Sequence, residues 1–239
     1  TLHYTSNALN AGGHTLILSG GRTFRNPNSP VLHNAESKLQ LSSITVANVG
    51  PSVHNTLGVE VENDSTINSF SITNITPVSI AADKILSRSI AVTAGSIKLI
   101  DTGTLASTIS MSGGTSFDAD DSVTVSGVLT QSGDITIDVL ANQTLIYTGT
   151  PLNLGSNTLS IDGAGTLSNA SGSPLVLDQT DSILDFRGTG IVTGPVNLES
   201  GTLKSSGSPT ISGALTQYNN AAIEVFAAQT LIYTGPSLS

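Results

Sequence analysis

The chain has 239 residues, a net charge of −9 and no cysteine, and only 10% of its residues are charged, against roughly 25% in ordinary soluble domains. Without cysteine there are no disulfides, thiolate zinc sites or cysteine nucleophiles. The eight basic residues, spread from Arg22 to Lys204, disfavour nucleic acid and anionic membranes as partners, and no apolar run reaches the roughly 20 residues of a membrane span.

In chain order, residues 15–18 (TLIL), 43–46 (SITV), 58–62 (GVEVE), 122–125 (SVTV) and 134–139 (DITIDV) alternate apolar with polar or β-branched residues. A period of two marks half-buried strands. Turn formers close these runs, as at Ser19-Gly20-Gly21, Ser112-Gly113-Gly114, Asp162-Gly163 and Ser206-Gly207-Ser208-Pro209. Residues 81–86 (AADKIL) read either as a single helical turn or as a bend between strands. Residues 1–20 lack the basic start and apolar block of a signal peptide.

A long-period repeat organises these strands. Residues 126–149 and 212–235 align without a gap at an offset of 86, with 15 of 24 positions identical, and both close on TLIYTG. Residues 1–10 match residues 144–153 at an offset of 143, so the chain opens inside a repeat unit. Such self-similarity is the mark of a stacked architecture, and the two offsets suit about four and about seven coils of roughly 20–22 residues. A tandem array of sandwich domains would instead repeat at one constant offset of roughly 100 residues. The expected fold is all-β, a single β-solenoid domain spanning residues 1–239 of a larger repeat protein. Roughly eleven coils at about 4.8 Å each would make a rod of some 50 Å.

Gly-punctuated, Ser/Thr/Asn-rich coils carrying Gly165-Thr166-Leu167-Ser168, Gly201-Thr202-Leu203-Lys204 and the TLILSG of residues 15–20 resemble the parallel β-helix passengers and adhesins of bacterial surfaces. In autotransporter-type passengers a short G-T-L-x-L-x-G element recurs coil after coil. The resemblance implies a right-handed parallel β-helix, secretion to an extracellular or cell-surface location, and attachment or scaffolding work. It carries over no catalytic residue. The chain shows no aromatic-rich closing segment like a membrane-anchored translocator, which leaves the export route open.

Three groups of residues are candidates for chemistry. Tyr4, Tyr147 and Tyr233 recur at equivalent repeat positions; they are candidate sugar-stacking residues, or else fill one corner of the coil with the hydroxyl on a turn carbonyl. Asp118, Asp120 and Asp121 are candidate ligands for a hard cation such as calcium, although no EF-hand or calcium nonapeptide spacing surrounds them and an ordinary turn is the alternative. Glu60, Glu62 and Asp64 occupy alternate positions and would present carboxylates about 7 Å apart on one strand face, a permissive spacing for glycosidase chemistry. No substrate-gripping basic or aromatic residue stands beside them before Phe70 and Lys84. Asp178, Asp181 and Asp185 are expected as turn and surface residues. His3, His14, His33 and His54 fall in the first quarter of the chain, where His33 and His54 would stack on adjacent coils; His3 and His14 align with Ile146 and Asn157, so the repeat does not preserve them.

The expected function is that of an extracellular adhesin or stalk rod, binding glycan or protein partners at a surface or acting as a rigid spacer, with no cofactor. A self-assembling surface fibre joined end to end or laterally is the first alternative. A polysaccharide-degrading β-helix enzyme is the second.

Overall fold

The computed structural model describes residues 2–3, 14–20, 23–25, 38–43, 45–46, 59–72, 76–170, 172–218 and 221–236. Every regular element among them is a β-strand. The strands form parallel sheets of thirteen, eleven and four strands, in which successive strands of a sheet come from successive turns of the chain. This is a β-solenoid. Parallel strands need a long connection to return to the same edge, and here the opposite sheet is that connection.

Alternation decides which side chains enter the rod. In Thr115–Ala119 and Ile135–Val139 every second residue is buried and the residues between are half-exposed. Because the strands are in register, buried residues stack into columns, one of which runs Ile97, Phe117, Ile137, Ile161, Phe186. The opposing sheet contributes Val123, Leu145, Leu167, Val192 and Ile211 in the same way. Nearly all of these residues are below 4% exposed, and they belong to one continuous hydrophobic core. A void of about 10 Å³ between Phe117, Leu129, Tyr147 and their neighbours is no larger than one water. The interior is therefore a packed core and not a channel.

The sequence repeat maps onto whole turns. Residues 144 and 230 are separated by 86 positions, and strand Thr144–Tyr147 lies four steps along the thirteen-stranded sheet from Ile232–Tyr233. Leu2–His3 lies seven steps before Thr144–Tyr147 in the same sheet, as the offset of 143 requires. Sheet partners such as Leu105 and Val125, then Val125 and Tyr147, are 20 and 22 residues apart.

One change of cross-section was not visible in the alternation. The eight-residue strand Thr104–Met111 pairs with two short strands of the following turn, Val123–Val125 and Leu129–Gln131. The break between them is a corner at Gly127, where an added Cβ would overlap the Ser107 carbonyl oxygen. From the next turn onward a third, four-stranded sheet forms from Leu152–Asn153, Leu175–Leu177, Val196–Leu198 and Leu215–Gln217. Residues 81–84 form the bend rather than a helical turn: Lys84 N donates to the Ala81 carbonyl at 3.0 Å and Asp83 has φ 59°. Among the described residues no helix is long and apolar enough to cross a membrane.

Candidate binding face

The outward side of the eleven-stranded sheet carries two adjacent polar columns. In the first, Ser116, Thr136 and Ser160 are register partners, continued by Asp185 and Lys204. In the second, Lys98, Asp118, Asp138 and Asp162 follow one another. Register partners in neighbouring strands lie about 4.8 Å apart, so the second column holds three carboxylates at close range with one ammonium at its end.

Electrostatics within that column are uneven. Lys98 Nζ pairs with Asp120 Oδ2 at 2.5 Å, and this hydrogen bond holds the lysine ammonium above its usual range. Asp138 sits in the middle. Burial pushes its carboxyl up, Asp118, Asp162 and Asp120 push it further, and Lys98 opposes them. Its Oδ1 is enclosed and has no hydrogen-bond partner among the described residues.

Beside the carboxylates, Ser116, Thr136, Thr158, Ser160, Asp134 and Arg187 line a polar groove of about 250 Å³. Asp134 Oδ1 accepts the Thr158 backbone N–H at 2.7 Å. Arg187 is placed by Asp185, whose Oδ2 accepts from Nε at 3.0 Å while its Oδ1 accepts from Ser206 Oγ at 2.6 Å. Asp185 is thus an almost buried strand residue of Ile183–Phe186, not the turn residue expected from sequence. Asp178 does cap a turn, accepting from Gly155 N at 3.1 Å.

The expected metal ligands do not converge. Asp118 projects from strand Thr115–Ala119, Asp120 is taken by Lys98, and Asp121 Oδ2 accepts the Asp101 backbone N–H at 3.0 Å. Among the described residues no group of three or more acidic, histidine or cysteine side chains is arranged to hold a metal ion. Turn capping explains Asp121, and charge pairing explains Asp120.

The tyrosines are corner residues. Tyr147 is 3% exposed; its Oη donates to the Thr150 carbonyl at 2.7 Å and accepts from Leu129 N at 3.3 Å. Burial pushes its hydroxyl pKa up, against the opposing pull of those two bonds. A ring so enclosed offers no face to a sugar, which corrects the stacking reading for Tyr147. Tyr233 repeats the arrangement, with Oη bonded to the Pro236 carbonyl and accepting from Leu215 N at 3.4 Å. Tyr4 lies outside the described residues.

The three acids of residues 60–64 are not one strand face either. The strand Val59–Val61 ends before Glu62; Glu62 Oε1 accepts from Gln40 Nε2 at 2.5 Å, and Asp64 Oδ1 accepts the Ile85 backbone N–H at 2.9 Å. Only Glu60 projects from the strand itself. His14 is exposed, whereas His33 and His54 lie outside the described residues.

Sequence reading missed Asp138, Asp162, Arg187 and the groove. The available signal was an apolar-Asp pair at the same point of three strands, Phe117-Asp118, Ile137-Asp138 and Ile161-Asp162. No family model, no curated protein and no solved structure matches the chain significantly.

Proposed function

We propose that the chain is a segment of an extracellular rod that attaches to surface glycans and holds its attachment sites at fixed intervals along a rigid axis. The observation that carries this reading is the outward polar surface of the eleven-stranded sheet, backed by one unbroken core. Stacked turns sharing a continuous core resist bending, because each turn is bonded to both neighbours. The serine and threonine hydroxyls of that face, which lie beside its aspartate column, can exchange hydrogen bonds with sugars. The likeness in composition and glycine punctuation to bacterial β-helix adhesins supports the same reading. The test is to incubate the 239-residue chain with neutral and acidic polysaccharides and to assay retention on the insoluble ones together with new chain ends. Retention without new ends is expected. New chain ends would replace the adhesin reading with a degradative one, and neither retention nor new ends on any polysaccharide would leave only a spacer.

A second reading is self-assembly end to end, and for the 239-residue segment by itself the last described turn bears on it. There Ile223, Val225, Phe226 and Ile232 are 37–50% exposed, although Ile223 and Val225 continue the inward columns of Leu203 and Ser205. The repeat names an occupant. Residues 212–235 correspond to 126–149, in which strand Ile135–Val139 is covered by Thr158–Gly163. The counterpart of residues 158–163 at an offset of 143 is TLILSG, residues 15–20. A second copy would place its Thr15–Ser19 strand against Ala222–Val225.

A further inference from the structure

Many hydroxyls on the rod's polar faces are bonded to a neighbouring turn. Thr66 pairs with Ser87, Ser122 with Gln143, Thr130 with Ser110 and Ser208 with Gln229. The groove on the eleven-stranded sheet departs from this pattern. Of its lining residues, the hydroxyls of Ser116, Thr136, Thr158 and Ser160 make no hydrogen bond to another described residue, although Ser160 is only 2% exposed. The Arg187 guanidinium commits its Nε to Asp185, and its terminal nitrogens have no partner among the described residues. Asp134 commits one oxygen to Thr158 N. Donors and acceptors not committed to other described residues therefore converge on one concave space, with Asp134 and Arg187 exposed at its surface, Ser116, Thr136 and Thr158 half-buried, and Ser160 buried.

We infer that this groove is a binding site for one ring unit of a neutral, hydroxyl-rich saccharide. This rests on the glycan-binding reading above and gives it a place and a ligand class. Size argues for a single ring: about 250 Å³ falls just below the roughly 300 Å³ at which drug-sized pockets begin. Lining chemistry argues for a polyol. Each Ser or Thr hydroxyl both donates and accepts, the guanidinium donates a parallel pair, and the carboxylate of Asp134 accepts, which together match adjacent hydroxyls on a sugar ring. Charge argues for neutrality. The guanidinium is already balanced by Asp185, and the neighbouring column of Asp118, Asp138 and Asp162 repels uronates, sialic acids and phosphates. No aromatic ring lines the groove, so binding at this site rests on hydrogen bonds alone and is weak.

The test is an amide-resolved NMR titration of the isotope-labelled chain with cellotetraose, mannotetraose and tetragalacturonate, alongside retention on insoluble neutral polysaccharides. A neutral tetraose is expected to shift the resonances of Ser116, Thr136, Thr158, Ser160 and Arg187 Nε with a millimolar dissociation constant. Thr136→Val and Ser160→Ala, whose spectra away from the groove stay unchanged, are each expected to weaken it about three- to tenfold, the loss of one hydrogen bond. Retention with shifts elsewhere, or with unaltered affinity in both variants, overturns the groove while the glycan-binding reading stands. Absence of both shifts and retention overturns the two together. Tetragalacturonate shifting the groove amides as strongly as the neutral sugars overturns the neutral class.

Discussion

Asp138 and Tyr147 show how one stacking rule gives opposite results for different side chains. In-register stacking repeats each residue's neighbourhood every turn, which brings Asp138 between Asp118 and Asp162. Its folded pKa lies above its ordinary 3.8, chiefly through burial, so the folded chain binds this proton more readily than the unfolded one. By linkage, its contribution to stability is least favourable above the folded pKa and recovers as pH falls through it toward 3.8. Asp138→Asn is expected to raise the melting temperature at pH 7 and to flatten the gain that the native chain shows on mild acidification. Because part of the side chain stays in water, the effect is under about 1 kcal/mol; thermal melts of both proteins from pH 4 to 8 measure it. A native protein losing stability on acidification in parallel with the variant would contradict the assignment. Tyr147 stacks equally closely but places its hydroxyl between a donor and an acceptor. Tyr147→Phe leaves the buried Leu129 N–H unpaired, at a cost of about 1–3 kcal/mol, or several degrees in melting temperature for a chain of this size. Tyr233→Phe, with its hydroxyl bond in an exposed position, should cost less; equal losses would refute the packing account.

At the level of elements, the turns of the solenoid are set by alternation and the corners by glycine. Alternation was legible in residues such as Ile135 and Ile137, because period two is a local property that survives without knowledge of partners. The four-turn repeat was legible for a similar reason: identical sequence 86 residues apart occupies equivalent places in one sheet. The aspartate column was not, since Asp118, Asp138 and Asp162 are spaced 20 and then 24 residues apart. Only the strand register reveals that these unequal loops return to one column. The third sheet escaped for a related reason, because nothing in the alternation of residues 104–111 announces that the next turn will split at Gly127. That corner is testable. Any side chain at Gly127 meets the Ser107 carbonyl at a separation no real contact shows, so Gly127→Ala must displace the corner and is expected to cost about 3 kcal/mol or more, beyond the usual range for overpacking. At Gly172 nothing lies within 4 Å of the place an added Cβ would take, and Gly172→Ala should be nearly neutral. Chemical denaturation of the pair isolates the steric contribution, and equal midpoints would show that the corner yields freely.

Across the whole molecule, a solenoid has no closed surface: every inner column that stacks productively in the middle must meet something else at each end. The column Leu159, Leu184, Leu203 is fully buried, and its next member, Ile223, is 37% exposed. The strand Ala222–Val225 also bonds a neighbour on one side only among the described residues, and unpaired strand edges beside apolar side chains are templates for another strand. Contact of one end with the other is heterologous, so it propagates rather than closing into a pair. The 239-residue chain is therefore expected to show a sedimentation coefficient that climbs with concentration, without a plateau at the dimer. Ile223→Thr with Phe226→Ser removes apolar area from the exposed turn while leaving the central core intact, and should lower that climb. A replacement in the middle of the rod, such as Leu105→Ala, should cost about 2–5 kcal/mol of stability without changing the concentration dependence. This separation of effects follows from nearest-neighbour stacking, in which the centre governs unfolding and the ends govern association. If the native chain sediments as a monomer at every concentration, end-to-end assembly of the 239-residue chain is excluded.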